Sequence, residues 1–137
     1  MKSYATLPLR LALGAVFIFH GLQKAFGLFG GPGIKGFSGM LAGLGFPFSE
    51  IMAILVAYVE LIAGILLVLG VLTRISSLSL LIIMIVALLK VHLAKGFSIM
   101  NGGYEYDLVL ILICLSLIIS GGGKLSLGQK LNKLKNL

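Results

Sequence analysis

Acidic side chains are almost missing from this chain: Glu50, Glu60, Glu105 and Asp107 stand against eleven lysines and arginines. Charged residues make up 11% of the 137 and hydrophobic ones 59%. A water-soluble domain of this length needs far more polar surface, so that class is excluded. Cysteine is equally scarce. Cys114 stands alone, which rules out a disulfide within the chain, and no Cys-x-x-Cys, haem-attachment or iron–sulfur pattern is present. Deep in an apolar run, Cys114 is expected to behave as a small hydrophobe. His20, Glu60, His92 and Glu105 are of metal-ligating type, but no His-x-x-His or Glu-x-x-His spacing joins them, so no metal site is assigned.

What is present is apolar length. A membrane-spanning helix needs about 20 largely apolar residues, and four segments approach that, at about 7–27, 50–72, 75–95 and 104–121. They leave no room for a separate soluble domain. The expectation is an all-α fold, an integral membrane four-helix bundle forming one domain over 1–137. The first segment follows Lys2 as a signal peptide would, but it has no convincing cleavage site and carries His20 and Lys24 near its end. It is therefore read as a membrane helix.

Four spans put both termini and the 73–74 turn on one side. That side holds Lys2, Arg10, Arg74, Lys124, Lys130, Lys133 and Lys135, and the other holds Lys24, Lys35, Lys90 and Lys95. The excess predicts cytoplasmic termini in a multi-pass protein of the cell membrane. The net charge of +7 is thus a topology signal and not a nucleic-acid one. Membrane lipids are the expected partners, with the basic stretch 124–135 suited to an anionic inner leaflet. Arg10 either snorkels to the inner interface or makes a polar contact that supports the bundle.

Residues 27–48 contain eight glycines and two prolines, a long connection for a bundle. Ile34, Phe37, Met40, Leu41 and Leu44 nevertheless follow helical spacing. A short amphipathic or re-entrant segment is expected in this outer loop. Asn101-Gly102-Gly103 marks the second outer turn.

Ionisable groups interrupt all four segments at similar depths. His20 and Glu60 each lie about twelve residues, or about 18 Å, from the inner end of their helix. Lys24, Lys90, His92, Glu105 and Asp107 form a second layer about 4–6 Å nearer the outside. Such groups usually face a bundle interior or a water-filled cavity. An unpartnered carboxylate in hydrocarbon is driven to its neutral form, so Glu60 needs His20, Lys24, a water or a proton. Lys90 and His92 are two apart, as are Glu105 and Asp107, so one member of each pair should turn inward; His92 and Glu105 are expected there. The inner half offers Leu, Ile and Val with a few serines and should pack dry, so a cavity at Glu60 should open outward, or sideways into the outer leaflet beneath the 27–48 loop. A carboxylate beside an imidazole in a dry site can carry a proton or polarise a ligand, and quinone chemistry moves protons with electrons. The same residues could instead be a polar latch between helices.

The run Arg10, Phe17-x-x-His20-Gly21-x-x-Lys24, Phe26-Gly27 and Leu44-Gly45-Phe46-Pro47 resembles the start of a DoxX-family protein. So do Glu60-Leu61-x-x-Gly64, Leu69-Gly70-x-x-Thr73-Arg74, Gly103-x-Glu105 and the Gly121-Gly-Gly-x-Leu-Ser126-Leu ending. The resemblance implies a four-helix integral membrane protein, with pattern positions His20, Lys24, Glu60 and Glu105. Some members of that family are subunits of thiosulfate:quinone oxidoreductase, and others are linked to membrane oxidoreductase complexes or to quinone and thiol stress responses. The 137 residues hold no fused second domain of the thiosulfate type, so that reaction would need a partner. The expected function is a membrane subunit of a quinone-linked oxidoreductase system. His20 and Glu60 would exchange protons, Lys24, His92 and Glu105 would bind the ligand, and quinone would be the cofactor. A soluble or membrane redox subunit is the expected partner, and a homo-oligomer is left open. A non-catalytic scaffold or assembly subunit and a small-molecule or lipid carrier remain as alternatives.

Overall fold

The structure is a computed structural model that describes residues 4–135, with side chains through residue 132. Lys2 and the side chains of Lys133 and Lys135, counted above in the charge asymmetry, lie outside the described residues. Six α-helices follow one another: α1 (Thr6–Phe26), α2 (Gly33–Gly43), α3 (Ser49–Leu69), α4 (Thr73–Ala87), α5 (Glu105–Ser120) and α6 (Leu127–Lys135). No strand occurs among the described residues. Beyond Ala87 the α4 chain widens into a π turn at Leu88–His92 and tightens into a 3-10 turn at Leu93–Lys95.

Among the described residues, three helices are long and apolar enough to cross a membrane: Thr6–Phe26, Ser49–Leu69 and Thr73–Lys95. Helix α5 has 16 residues, about 24 Å at 1.5 Å per residue and short of the ~30 Å hydrocarbon core. Large aliphatic side chains cover the outside, among them Ile51, Leu55 and Ile62 on α3, Ile75 and Ile82 on α4 and Leu89 in the π turn. So much apolar surface suits lipid rather than water.

The helices associate through small residues and close packing, since lipid removes the hydrophobic drive between them. The α1–α3 crossing shows this. A Cβ on Gly21 would stand 2.7 Å from the Leu61 nitrogen, one on Gly14 would stand 2.8 Å from the Gly64 oxygen, and one on Gly64 would stand 2.9 Å from the Ile18 nitrogen. Only glycine lets these backbones meet. The main core joins Leu13 and Phe17 of α1, Leu67 of α3, Leu80 and Met84 of α4 and Leu110, Cys114 and Leu117 of α5. A smaller core seats Phe37 and Leu41 of α2 on Ala53 of α3. The Gly-rich 27–48 connection therefore contains a packed helix.

The end at which α1 begins and α5 finishes is not purely apolar. Arg10 is 1% exposed, and its Nη2 donates to the Leu125 carbonyl at 2.9 Å. The Thr6 hydroxyl donates to the Gly122 carbonyl at 3.1 Å. Arg10 thus ties α1 to the segment after α5, and the bundle-supporting alternative describes it. The hydroxyls of Thr73, Ser76 and Ser77 are buried and have no hydrogen-bond partner. The few serines expected at this end are Ser76 and Ser77, and buried Arg10, Thr6 and Thr73 join them.

Candidate functional site

The close crossing at Gly21 and Leu61 sets the first half of the site. One turn beyond Gly21, Lys24 leaves α1 toward α3, where Glu60 stands on the buried face marked by Ala53, Ala57, Ala63 and Leu67. Glu60 is 2% exposed. The Lys24 ammonium donates to both of its oxygens, at 2.7 Å to Oε1 and 2.8 Å to Oε2. Lys24 also lies over the Phe37 ring of α2, 5.0 Å from its centroid. A charge-assisted pair is the arrangement that makes a buried carboxylate tolerable.

The second half comes from α4 and α5. The π turn at Leu88–His92 holds one residue more than an α turn and carries the imidazole onto the face toward α5. His92 Nδ1 meets Asp107 Oδ2 at 2.5 Å. Asp107 is 3% exposed and belongs to the buried stripe Asp107, Leu110, Cys114 and Leu117.

Both pairs border one cavity of about 730 Å³. Its wall is mostly apolar, with Phe17, Phe37, Met40, Phe46, Met52 and Met84 among the lining residues. His20 and Lys90 border it as well. The contributions of α2, of Phe46 and of Ile99, Gly102 and Gly103 place it beneath the two connections at the end opposite the chain termini.

The expected residues are therefore only partly united. His20, Lys24, Glu60 and His92 meet at one cavity. His20 makes no hydrogen bond to Glu60; its described contact is an edge-on approach of the Phe19 ring, with centroids 5.7 Å apart. Lys24 takes the partner role that His20 was one candidate for. Glu105 is not the inward member of its pair, and Asp107 is. Glu105 Oε1 accepts from the Ile99 backbone N–H at 2.7 Å, which ties α5 to the 96–103 connection. At the first residue of α5 a carboxylate reaches back to the loop, and two residues on the helix has turned to the opposite face. Among the described residues, no three His, Cys, Asp or Glu side chains gather as a metal-binding group.

Comparison with known proteins places this geometry in context. The DoxX family profile matches residues 5–93. An uncharacterised protein of Haemophilus influenzae is 41% identical over 93 residues, covering 65% of this chain and 62% of that protein, so the chain spans less than two thirds of that relative. "Putative oxidoreductase CatD" of Bacillus subtilis is 33% identical over 122 residues, 89% of this chain and 83% of CatD. An uncharacterised membrane protein of Mycobacterium tuberculosis is 33% identical over 139 residues, 94% of this chain and 82% of its own. No solved structure matches.

Proposed function

The chain belongs to the DoxX family of membrane proteins, and from that premise we propose that it is a membrane subunit of a quinone-linked oxidoreductase system. The observation that carries this reading is a Lys24–Glu60 ion pair and a His92–Asp107 hydrogen bond, from different pairs of helices, at the wall of one largely apolar cavity. The chemistry of that wall fits a quinone-like headgroup, which needs hydrogen-bonding groups in an apolar, lipid-reachable site. A bound quinone takes up or gives up protons together with electrons. In this reading Lys24 offsets negative charge at a ligand oxygen, and Glu60 and His20 exchange protons with it. Asp107 fixes the His92 tautomer through Nδ1, leaving Nε2 to face the ligand. Glu105, first expected to bind ligand, holds the outer connection in place. The name of the CatD relative is consistent with an oxidoreductase role.

The same proposal takes α5 as a fourth crossing, made with the turns that precede it, and puts both termini in the cytoplasm of a multi-pass cell-membrane protein. A soluble or membrane subunit supplies the electron-carrying group. The test is quinone content. Protein purified in native-lipid discs is extracted, its quinone is measured by mass spectrometry, and a short-chain quinone is titrated back. Wild type should retain quinone, and Asp107→Asn should retain roughly tenfold less, about 1.4 kcal/mol. Absence of quinone from the wild type, together with no binding on titration, overturns the reading.

One observation favours a second reading. Both Glu60 oxygens are already held by Lys24, as in a polar latch of a scaffold or assembly subunit. If that is its whole role, Glu60→Gln should leave the activity of the parent complex unchanged.

A further inference from the structure

The cavity of about 730 Å³ has its polar groups in one part only. Its charged groups and imidazoles belong to α1, to Glu60, to the π turn and to Asp107. Toward the gap between α3 and α4 the lining changes. Leu55, Val56 and Val59 of α3 and Ile82, Ile83 and Val86 of α4 line it there. Each trio follows intervals of three and four and so forms one stripe on its helix. Between 52 and 59, and between 79 and 87, the polar lining residue is Ser79, and its hydroxyl already donates to the Ile75 carbonyl at 3.0 Å. A polar headgroup placed in this arm would give up its hydrogen bonds for nothing, whereas hydrocarbon suits it. A volume of about 730 Å³ lies within the about 300–1,000 Å³ of sites for drug-sized ligands, enough for a ring and part of a chain.

The arm is also open along its side. Leu55 is 55% exposed and Ile82 56%, so the same two side chains border the cavity and the outer surface. Lys90 follows Val86 by one turn, also lines the cavity and is exposed. A lysine at that level extends its ammonium to the membrane interface. Val86 and Ile82 then lie one and two turns deeper, among lipid tails. The opening between α3 and α4 therefore faces hydrocarbon and not water.

We infer that the ligand of this cavity is a lipid-borne molecule with a hydrocarbon tail, its ring against Lys24–Glu60 and His92 and its tail leaving between α3 and α4, past Leu55 and Ile82, into the bilayer. The inference rests on the quinone reading and adds two things to it: the ligand class, a quinone carrying an isoprenoid tail, and the route of arrival, sideways from the membrane. A tail-less quinone would use the polar part of the wall and leave the α3–α4 arm unused.

The test places the full chain in discs of phosphatidylcholine. It adds, at equal mole fraction in the lipid, a benzoquinone with an isoprenoid tail or the same ring with a methyl group in place of the tail. Wild type should bind the tailed quinone about tenfold more tightly. Leu55→Trp/Ile82→Trp, at two positions more than half exposed, should bind the two quinones alike, with the tail-less affinity kept. Ile85→Trp, exposed on α4 but outside the cavity lining, should keep the wild-type preference. A wild type without preference, or a double variant that retains it, overturns the tail site and leaves the quinone reading standing. If the double variant loses both quinones, photolabelling of wild type with a tailed quinone that carries a diazirine beside the ring decides. Label on 52–59 and 79–87 supports the route, and label confined to other segments overturns it. A wild type that binds neither quinone overturns the quinone reading itself, and the tail site with it.

Discussion

Replacing Lys24 by methionine tests whether the Lys24–Glu60 pair is a single energetic unit. The substitution keeps the length and apolar stem of the side chain and removes the ammonium. Glu60, 2% exposed, then loses both of its hydrogen bonds. Removing one partner of a buried ion pair costs about 3–5 kcal/mol. The Lys24 side chain is 23% exposed, so solvent reaches this end of the pair and the lower figure applies, about 3 kcal/mol. Glu60→Gln keeps one acceptor for Lys24 and should cost about 1 kcal/mol. In Lys24→Met/Glu60→Gln no charge remains buried, and the loss should be about 2 kcal/mol against about 4 for the sum, a coupling of about 2 kcal/mol. The assay is SDS-driven unfolding in mixed micelles, followed by far-UV circular dichroism for wild type and the three variants. Additivity within about 0.5 kcal/mol would refute the claim that the two groups act together.

Gly21→Ala should destabilise the protein by about 2 kcal/mol in the same assay, because its Cβ meets the α3 backbone. Gly39→Ala, on α2 with nothing within 4 Å of the added carbon, should be neutral or stabilising by up to about 1 kcal/mol. Asp107→Asn should lower retention of a short-chain quinone, whereas Glu105→Gln should leave it near wild type and raise hydrogen exchange at the Ile99 amide. In a Cys114→Ala background, cysteines at Lys35 and Lys130 should react with an impermeant thiol reagent from opposite faces of the membrane. Reaction of both from one face would refute the proposed topology.

The long helices were legible because lipid-facing segments advertise themselves by apolar length. The segments read at 7–27, 50–72 and 75–95 correspond to Thr6–Phe26, Ser49–Leu69 and Thr73–Lys95. The short helix in the Gly-rich connection was legible from the spacing of Phe37 and Leu41, which are the residues it buries. Helix α6 was missed, since its lysines read as a charged tail; Leu127 and Leu131, four apart, were the signal available. The site was read at the level of residue type more than of pairing. Depth counting brought His20 and Glu60 to one level, but it carries no information on which long side chain reaches across, and Lys24 does. The Glu105 and Asp107 assignment could have been made from periodicity alone. Asp107 falls in step with Leu110, Cys114 and Leu117 at intervals of three and four, and Glu105 does not. The π turn left no mark in the sequence, because the extra residue shows only in how the helix backbone closes.

That turn bears on how this chain tolerates insertions and deletions. The buried stripe of α4 runs through Leu80 and Met84, and an unbroken α-helix would continue it at Val91, seven residues after Met84. With the turn one residue wider, His92 takes that place opposite Asp107. Deleting Leu89 should let the segment close as ordinary α-helix with the imidazole still facing Asp107. Inserting a residue into α5 between Asp107 and Leu110 has no wide turn to absorb it, and should swing the carboxylate about 100° off the stripe. A length difference in an aligned relative is therefore compatible with the His–Asp pair in the first place and breaks it in the second.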